Sequence, residues 1–297
     1  MRIVVTGGTG FLGGALVERL RGDGHTVTVL TRGRSAAGAV HWDPETAAAE
    51  WTSTLDGADA VIHLAGSSIA GGRWTEARKA LIRDSRVRST RALVAAIRAA
   101  RQPPTVLVSG SAIGIYGPRG DEPLPEDSPP GSGFLAGVCV EWEREALAAA
   151  SVSRVVLVRT GLALDKSEGA LPQIVRPFYF FAGGPIGSGG QFMSWIHRDD
   201  WVEMVRWSLS NPAVSGPMNA SAPNPVINRE FARTLGRVLR RPAFMPTPAF
   251  ALRLALGEMA DELLLTGQRV LPSKAQSLGF TFRYPLLEPA LRAVFGL

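Results

Sequence analysis

The sequence predicts an α/β protein with a doubly wound parallel sheet and a smaller C-terminal lobe. Three observations support this prediction. Continuously apolar strands alternate with amphipathic helices through the first half of the chain, which is typical of parallel strands covered on both faces. A glycine-rich turn joins the first strand to the first helix. The length of 297 residues suits one large α/β domain, or a nucleotide-binding domain with a smaller partner.

The predicted elements follow one another in a regular order up to about residue 165. The runs with strand character are 2–6, 25–31, 60–65, 105–110 and 154–161. The stretches with helical spacing of apolar residues are 12–22, 74–101 and 134–150. We expect residues 1–165 to form the nucleotide-binding domain and 166–297 to form mainly a substrate-side lobe with a helical C-terminal domain. Elements from about 190–225 are expected to return to the main sheet.

Composition limits the classes of protein that the chain can represent. Its single cysteine, Cys139, excludes an intrachain disulfide, and no Cys/His cluster has the spacing of a zinc site. The N-terminus has no apolar segment ahead of a cleavage site. The long apolar stretch near the C-terminus is interrupted by charged residues and is too polar to span a membrane. We expect a cytoplasmic protein, a monomer or homodimer, that acts on a small molecule and holds no metal.

The net charge of +6 is carried almost wholly by arginine, and basic residues are dense over 73–101. Such a run is typical of a solvated helix face, and it can also attract an anionic small ligand. Binding of nucleic acid is not expected, because no aromatic residues are interleaved with the basic ones and no known module signature is present.

The turn after the first strand has the character of a dinucleotide-binding loop. It reads Thr6, Gly7, Gly8, Thr9, Gly10, Phe11, Leu12 and Gly13. Gly7 makes the tight turn, Gly10 lets a pyrophosphate approach the backbone, and Gly13 lets the helix pack close to the sheet. We therefore expect these eight residues to hold the cofactor phosphates at the helix N-terminus.

The end of the second strand favours NADP(H) over NAD(H). NAD enzymes place a carboxylate there to bind the ribose 2′-hydroxyl, whereas this strand runs into Arg32 and then Arg34. An arginine pairs in a bidentate manner with a 2′-phosphate. For Arg34, an exposed loop residue with no contact to the cofactor is an equally good interpretation.

Two further strands end in small residues, which are predicted to lie at the same edge of the sheet. The residues concerned are Leu64, Ala65 and Gly66 after one strand and Ser109 and Gly110 after another. In a doubly wound sheet, ligands bind outside the carboxyl ends of the strands. We expect these residues to line the cofactor site, although close packing of helices on strands also favours small residues.

Together these motifs resemble the extended short-chain dehydrogenases/reductases, and more closely their atypical epimerase family group with a C-terminal domain of unknown function. The stretches that carry the resemblance include ADAVIHLAG, SGSAIGIYG, CVEWEREA, LVRTGLAL, GGPIGSGGQ, SWIHRDD and GQRVLPSKAQSLGFTFRYPLLEPAL. The resemblance spans nearly the whole chain. It implies an extended Rossmann core that binds NADP(H), without a settled reaction.

Enzymes of the wider superfamily use a tyrosine, a lysine four residues later, and a serine from the preceding strand. None of the three tyrosines of this chain has a lysine at that spacing. When Glu143 is aligned with the usual trailing acid, Leu135 takes the place of the tyrosine and Cys139 that of the lysine. Ser111 matches the superfamily serine. Tyr116 is the first candidate for a substitute proton donor, and a structural turn residue is the alternative.

The remaining candidates lie on the predicted substrate side. They are Arg86, Cys139, Arg159, Gln191, Trp195 and His197. Each arginine could bind an anionic substrate or have a structural role. Cys139 could be a small buried apolar residue or a thiol that titrates. His197 could relay a proton or shape the cofactor pocket. Gln191 and Trp195 are expected at the wall of the cleft. The sequence thus favours an NADP(H)-dependent oxidoreductase or epimerase acting on a small carbonyl or alcohol, with a non-catalytic NADP(H)-sensing regulator as the alternative.

Overall fold

A computed structural model describes residues 1–33, 38–46 and 48–297 of the chain. The strands are β1 Arg2–Thr6, β2 Thr26–Thr31, β3 Ala39–His41, β4 Ala60–His63, β5 Val106–Ala112, β6 Pro123–Leu124, β7 Arg154–Thr160, β8 Leu162–Leu164, β9 Phe192–Met193, β10 Trp195–His197, β11 Gly216–Ala220, β12 Val226–Ile227 and β13 Arg269–Val270. The helices are α1 Phe11–Gly22, α2 Ala49–Thr52, α3 Glu76–Ala99, α4 Phe134–Leu147, α5 Leu171–Tyr179, α6 Arg198–Ser210, α7 Asn228–Leu239, α8 Ala249–Leu256, α9 Glu258–Ala260, α10 Ser273–Ser277 and α11 Leu287–Phe295.

Seven strands of the described residues form one parallel sheet in the order β3-β2-β1-β4-β5-β7-β11. The chain moves outwards in one direction from β1 and in the other from β4, so the strand order reverses between these two neighbours. This is the doubly wound topology that the sequence predicts, and the reversal opens a crevice at the carboxyl ends of β1 and β4. Strand β3 was not predicted, because three residues are too few to show a periodic pattern.

The core lies on both faces of the sheet, since successive strand residues point to opposite sides. Ile3 and Val5 pack with the cluster that includes Leu16 of α1 and Trp201 of α6. Val4, between them, packs with the cluster on the α3 side. The continuously apolar strands are therefore buried on both faces, and ligands can bind only at the ends of the strands.

The C-terminal region adds one strand to the main sheet and builds a core of its own. Strand β11, from the region expected to return, pairs with β7. Helices α5, α7 and α11 enclose a separate cluster that includes Phe178, Phe231 and Leu291. The boundary near residue 165 stays a prediction. No helix among the described residues has both the length and the apolar character to cross a bilayer.

The basic run forms helix α3, and much of its charge is matched by acids. Arg83 and Arg91 pair with Glu141 and Glu145 of α4 at 2.6 and 2.7 Å. The run therefore joins two neighbouring helices as well as facing solvent.

Candidate functional site

The glycine turn after β1 has a geometry that side chains would destroy. Gly7 has a φ of +71°, and a Cβ there would lie 2.7 Å from the backbone carbon of Leu64 at the end of β4. A Cβ on Gly13 would collide with the carbonyl oxygen of Gly7. Helix α1 thus packs directly on the turn, with Thr9 and Gly10 exposed.

No side chain caps the N-terminus of α1 at Gly10. The first N–H groups of a helix have no intrahelical partner and carry the positive end of its dipole. The turn therefore offers a cradle of backbone donors for a phosphate, with half-buried Phe11 and Leu12 beside it.

Arg32 lies exposed directly after β2, at the same edge of the sheet as the glycine turn. Among the described residues, no carboxylate lies within 4 Å of its guanidinium. The neighbouring Gly33 N–H donates to Thr31 Oγ1 at 3.2 Å, which forms a tight turn. Arg34 lies outside the described residues.

The residues at the ends of β4 and β5 differ in accessibility. Leu64 and Ala65 are half-buried and Gly66 is exposed. Ser109 and Gly110 are buried, and a Cβ on Gly110 would lie 3.1 Å from the Trp142 ring. The structure thus places the β4 residues at the crevice and the β5 pair beneath Trp142.

A buried histidine lies directly under the glycine turn. Thr6 Oγ1 and His63 Nδ1 are 2.6 Å apart, and His63 Nε2 and Thr90 Oγ1 are 2.9 Å apart. Because the Thr90 hydroxyl donates to the carbonyl of Arg86, it accepts from Nε2–H, and Thr6 donates to Nδ1. Burial lowers the pKa of His63 from 6.5 to about 3, so the imidazole is neutral and holds β1, β4 and α3 together.

Unfolding is expected to become easier as the pH falls from 6.5 towards 3. Unfolded His63 takes up a proton near 6.5, whereas the folded protein does not until about 3. The free energy of unfolding should therefore fall by up to about 1.4 kcal/mol per pH unit across this window, and the contribution is complete above it. Urea titrations of the wild type and His63→Gln at several pH values measure the difference. Equal slopes for the two proteins would contradict the assignment.

Ser111 belongs to a buried polar network at the end of β5. Its hydroxyl donates to Glu143 Oε1 at 2.6 Å. Arg159, opposite Ser111 on β7, donates to both oxygens of the same carboxylate at 2.9 Å. Burial disfavours the Arg159 cation, but the Glu143 carboxylate outweighs that cost and raises the pKa of the guanidinium. This network ties α4 to the two strands and fixes the Ser111 hydroxyl.

Tyr116 extends the network away from the crevice. Its hydroxyl accepts from Arg159 Nη1 at 2.8 Å and donates to Asn219 Oδ1 at 2.7 Å. The side chain is fully buried, and burial raises the pKa of Tyr116 even though Arg159 opposes the shift. The Asn219 N–H donates in turn to Glu126. This placement favours the structural alternative for Tyr116.

Replacing Tyr116 with phenylalanine is expected to lower the free energy of unfolding by about 1–3 kcal/mol, because two buried partners lose a hydrogen bond. NADPH affinity and the pH profile of any turnover should stay as in the wild type. Tyr179→Phe, which changes an exposed side chain, is the matched control and should leave the free energy of unfolding, the NADPH affinity and the pH profile unchanged. Loss of turnover at unchanged stability would instead identify Tyr116 as the proton donor.

Leu135 and Cys139, the residues aligned with the superfamily tyrosine and lysine, pack among apolar side chains. Leu135 packs with Trp74, Ile82 and Met259. Cys139 packs among Ile115, Tyr116, Leu124 and Val270, and burial raises the pKa of its thiol to about 12. Cys139 is therefore a neutral part of the core near neutral pH.

Three substrate-side candidates are held by local structure. Gln191 Nε2 donates to the carbonyls of Ile186 and Leu264 at 3.1 and 2.7 Å and so ties the glycine-rich loop to the C-terminal region. Trp195 is fully buried in the C-terminal core. His197 caps α6 by accepting from the Asp199 N–H at 3.1 Å, and burial lowers its pKa. Only Gln191 of these three is partly exposed.

Arg86 has a different environment from Arg159. Its guanidinium lies over the Trp142 ring, 5.4 Å from the centroid, and close to Gly66 at the crevice. Trp142 was not predicted as part of this site, and neither were His63, Asn219 and Glu126. Of these four, only His63 has a signal in the sequence, because a histidine within the apolar run AVIHLA is unusual.

The comparisons with known proteins agree with this architecture. Residues 3–220 match the sequence model of the NAD dependent epimerase/dehydratase family, and residues 247–294 match a domain of unknown function, DUF1731. The chain is 44% identical over 302 residues to an epimerase family protein of Arabidopsis thaliana, SDR39U1 homolog, chloroplastic, covering 99% of this chain and 86% of that one. It is 42% identical over 298 residues to the epimerase family protein YfhF of Bacillus subtilis, covering 98% and 97%.

A solved structure resembles the whole chain. The crystal structure of human epimerase family protein SDR39U1 (isoform2) with NADPH superposes with a TM-score of 0.92 at 35% sequence identity, and the match covers all of both chains.

Proposed function

Because this chain belongs to the NAD dependent epimerase/dehydratase family, we propose that it binds NADP(H) and transfers hydride between this cofactor and a small carbonyl or alcohol substrate. The observation that carries the proposal is the glycine cradle at the crevice with an arginine, rather than an acid, after β2. The human relative was crystallised with NADPH, which supports the same cofactor here.

The residues of this chain fit the cofactor in two places. Gly7 and Gly13 leave no room for a side chain, and the turn between them presents backbone N–H groups to a pyrophosphate. Arg32 supplies a cation for a 2′-phosphate. Leu64, Ala65 and Gly66 border the crevice between these parts and the rest of the site. When bound, the cofactor supplies the hydride chemistry.

Ser111 is the residue that we assign to the substrate oxygen. Since its hydroxyl donates to Glu143, its lone pairs are oriented to accept a hydrogen bond from a substrate alcohol. Glu143 is a positioning residue in this arrangement, and Arg159 holds its carboxylate in place through two hydrogen bonds. At the position aligned with the superfamily tyrosine, Leu135 offers no proton, so we assign the exchange of the substrate proton with solvent to the Ser111 hydroxyl.

The experiment tests hydride transfer from NADPH to a broad panel of carbonyl compounds. The reaction is monitored as the loss of absorbance at 340 nm, and the reduced product is identified. We expect turnover with NADPH on at least one compound, and a large loss of turnover in Ser111→Ala with NADPH affinity retained. Tight NADPH binding without turnover on the whole panel would contradict the enzymatic proposal.

A second candidate function is an NADP(H)-sensing regulator without catalysis. The apolar packing of Leu135 and Cys139 at the places of the tyrosine and lysine favours it. Such a protein would bind a partner differently when loaded with NADP⁺ or with NADPH. Equal partner capture in the two states would exclude this candidate.

A cytoplasmic location and a monomeric or homodimeric state remain predictions. The Arabidopsis relative is described as chloroplastic. Gel filtration with light scattering would decide the oligomeric state.

A further inference from the structure

Arg86 is a half-buried cation at the carboxyl edge of the sheet. A Cβ on Gly66 would lie 3.2 Å from its Cζ, which places the guanidinium beside the crevice. The Trp142 ring supports it from another side. Its Nη1 donates to the carbonyl of Ile82 at 3.0 Å, within its own helix.

Arg86 lacks an acidic partner among the described residues, although its neighbours on α3 have one. Arg83 and Arg91 each pair with a glutamate of α4, and buried Arg159 is bound by Glu143. Burial, together with the charge of Arg78, lowers the pKa of Arg86. Since a partly desolvated cation is costly without a counter-ion, the environment of Arg86 is suited to an anion.

The position of Arg86 is close to where the proposed chemistry takes place. Trp142, which supports the guanidinium, packs on Gly110, and Ser111 is the next residue. The charge of Arg86 also acts on the Cys139 thiol, whose pKa it lowers against the larger raising effect of burial. Cys139 occupies the place that the superfamily resemblance gives to the lysine. Helix α3 thus brings a cation to the part of the site where α4 carries none.

We propose that Arg86 binds a carboxylate group of the substrate beside its reacting carbon, so that the substrate is an oxo acid or a hydroxy acid. The inference rests on the proposed function. A planar guanidinium backed by an indole ring presents its remaining N–H donors in the plane of a carboxylate, and such pairs are bidentate. The cofactor phosphates have their own partners in the glycine turn and Arg32, so they do not account for Arg86.

The test uses the full chain and begins with NADPH titrations of the wild type and Arg86→Gln. Both should bind NADPH with the same affinity. The loaded proteins are then titrated calorimetrically with oxamate, malonate and 2-oxobutyrate, with neutral oxamide and inorganic phosphate as comparison ligands. We expect at least one carboxylate to bind the wild type and oxamide not to bind.

Arg86→Gln should weaken the binding of that carboxylate by about 10- to 100-fold, which is typical of losing a charge-assisted hydrogen-bonded pair. Arg86→Lys should recover part of the affinity, because it restores the charge without the planar fork. Arg88→Gln, an exposed residue of the same helix that pairs with Asp84, is the matched control and should bind like the wild type.

Three results would overturn the inference while leaving the proposed function standing. They are NADPH binding with no carboxylate bound, a carboxylate affinity unchanged in Arg86→Gln, and phosphate bound in preference to every carboxylate. Failure of the wild type to bind NADPH would reject the proposed function itself, and the inference with it.

Discussion

Gly13→Ala is expected to abolish measurable NADPH binding. The new Cβ would meet the carbonyl oxygen of Gly7, and a backbone atom cannot move aside as a flexible side chain can. Helix α1 would have to shift away from the turn, so the N–H groups of the cradle would no longer converge on a pyrophosphate. We expect affinity to fall by more than about 100-fold, the effect of losing two or more charge-assisted hydrogen bonds. NADPH fluorescence titration measures it.

Gly14→Ala is the matched control, one residue further along the same helix. A Cβ there would lie 3.9 Å from the Gly8 carbonyl oxygen, which is an ordinary contact. The variant should bind NADPH like the wild type and gain about 0.5–1 kcal/mol of stability from helix propensity. Equal NADPH affinity of the Gly13 and Gly14 variants would refute the close-packed cradle.

Glu143→Gln is expected to cost about 3–5 kcal/mol of unfolding free energy. The change leaves the Arg159 guanidinium buried without its carboxylate, and removing one partner of a buried ion pair has effects of this size. Ser111 would also lose the charged acceptor that orients its hydroxyl. Urea denaturation followed by circular dichroism measures the loss, and Ser111-dependent turnover should fall in parallel.

The control for this prediction is Glu141→Gln, on the same helix. Glu141 pairs with Arg83 at 2.6 Å, but both side chains are partly exposed, so the cost should stay below about 1 kcal/mol. The double variant Glu143→Leu/Arg159→Met should lose less stability than the sum of its single changes, because no charge is then left unpaired. A cost for Glu143→Gln no larger than for Glu141→Gln would disprove the role assigned to the pair.

The main sheet could be predicted because its signals are local. Apolar strands that are buried on both faces show as unbroken runs, and the Gly7–Gly13 turn marks the point where the first strand meets its helix. Helix α3, predicted over 74–101, begins at Glu76 after Thr75 caps it. Strand β3 and the two-residue strands of the C-terminal region give no such signal, because their pairing is set by distant partners.

The polar network beside the crevice could not be predicted in the same way. Tyr116 and Asn219 are 103 residues apart in the chain. Arg159 lies on β7 and its partner Glu143 on α4, so their pairing depends on how the helix packs on the sheet. The closeness of Tyr116 to β5 in sequence suggested a shared acid/base site with Ser111. In the fold, the 113–116 turn directs the phenol into the core, and only Ser111 stays beside the crevice. Arg86 was predicted to hold an anionic substrate or to have a structural role, but its lack of an acidic partner among the described residues is a property of the fold alone.

The most direct measurement of the central claim compares the dissociation constants of NADPH and NADH for the wild type and Arg32→Ser. We expect the wild type to bind NADPH more tightly than NADH. Arg32→Ser should weaken NADPH binding by about 10- to 100-fold and leave NADH binding nearly unchanged, because only NADPH carries the 2′-phosphate. Arg19→Ser, an exposed change on α1, should alter neither. A wild type that prefers NADH, or a preference for NADPH that survives Arg32→Ser, would contradict the account.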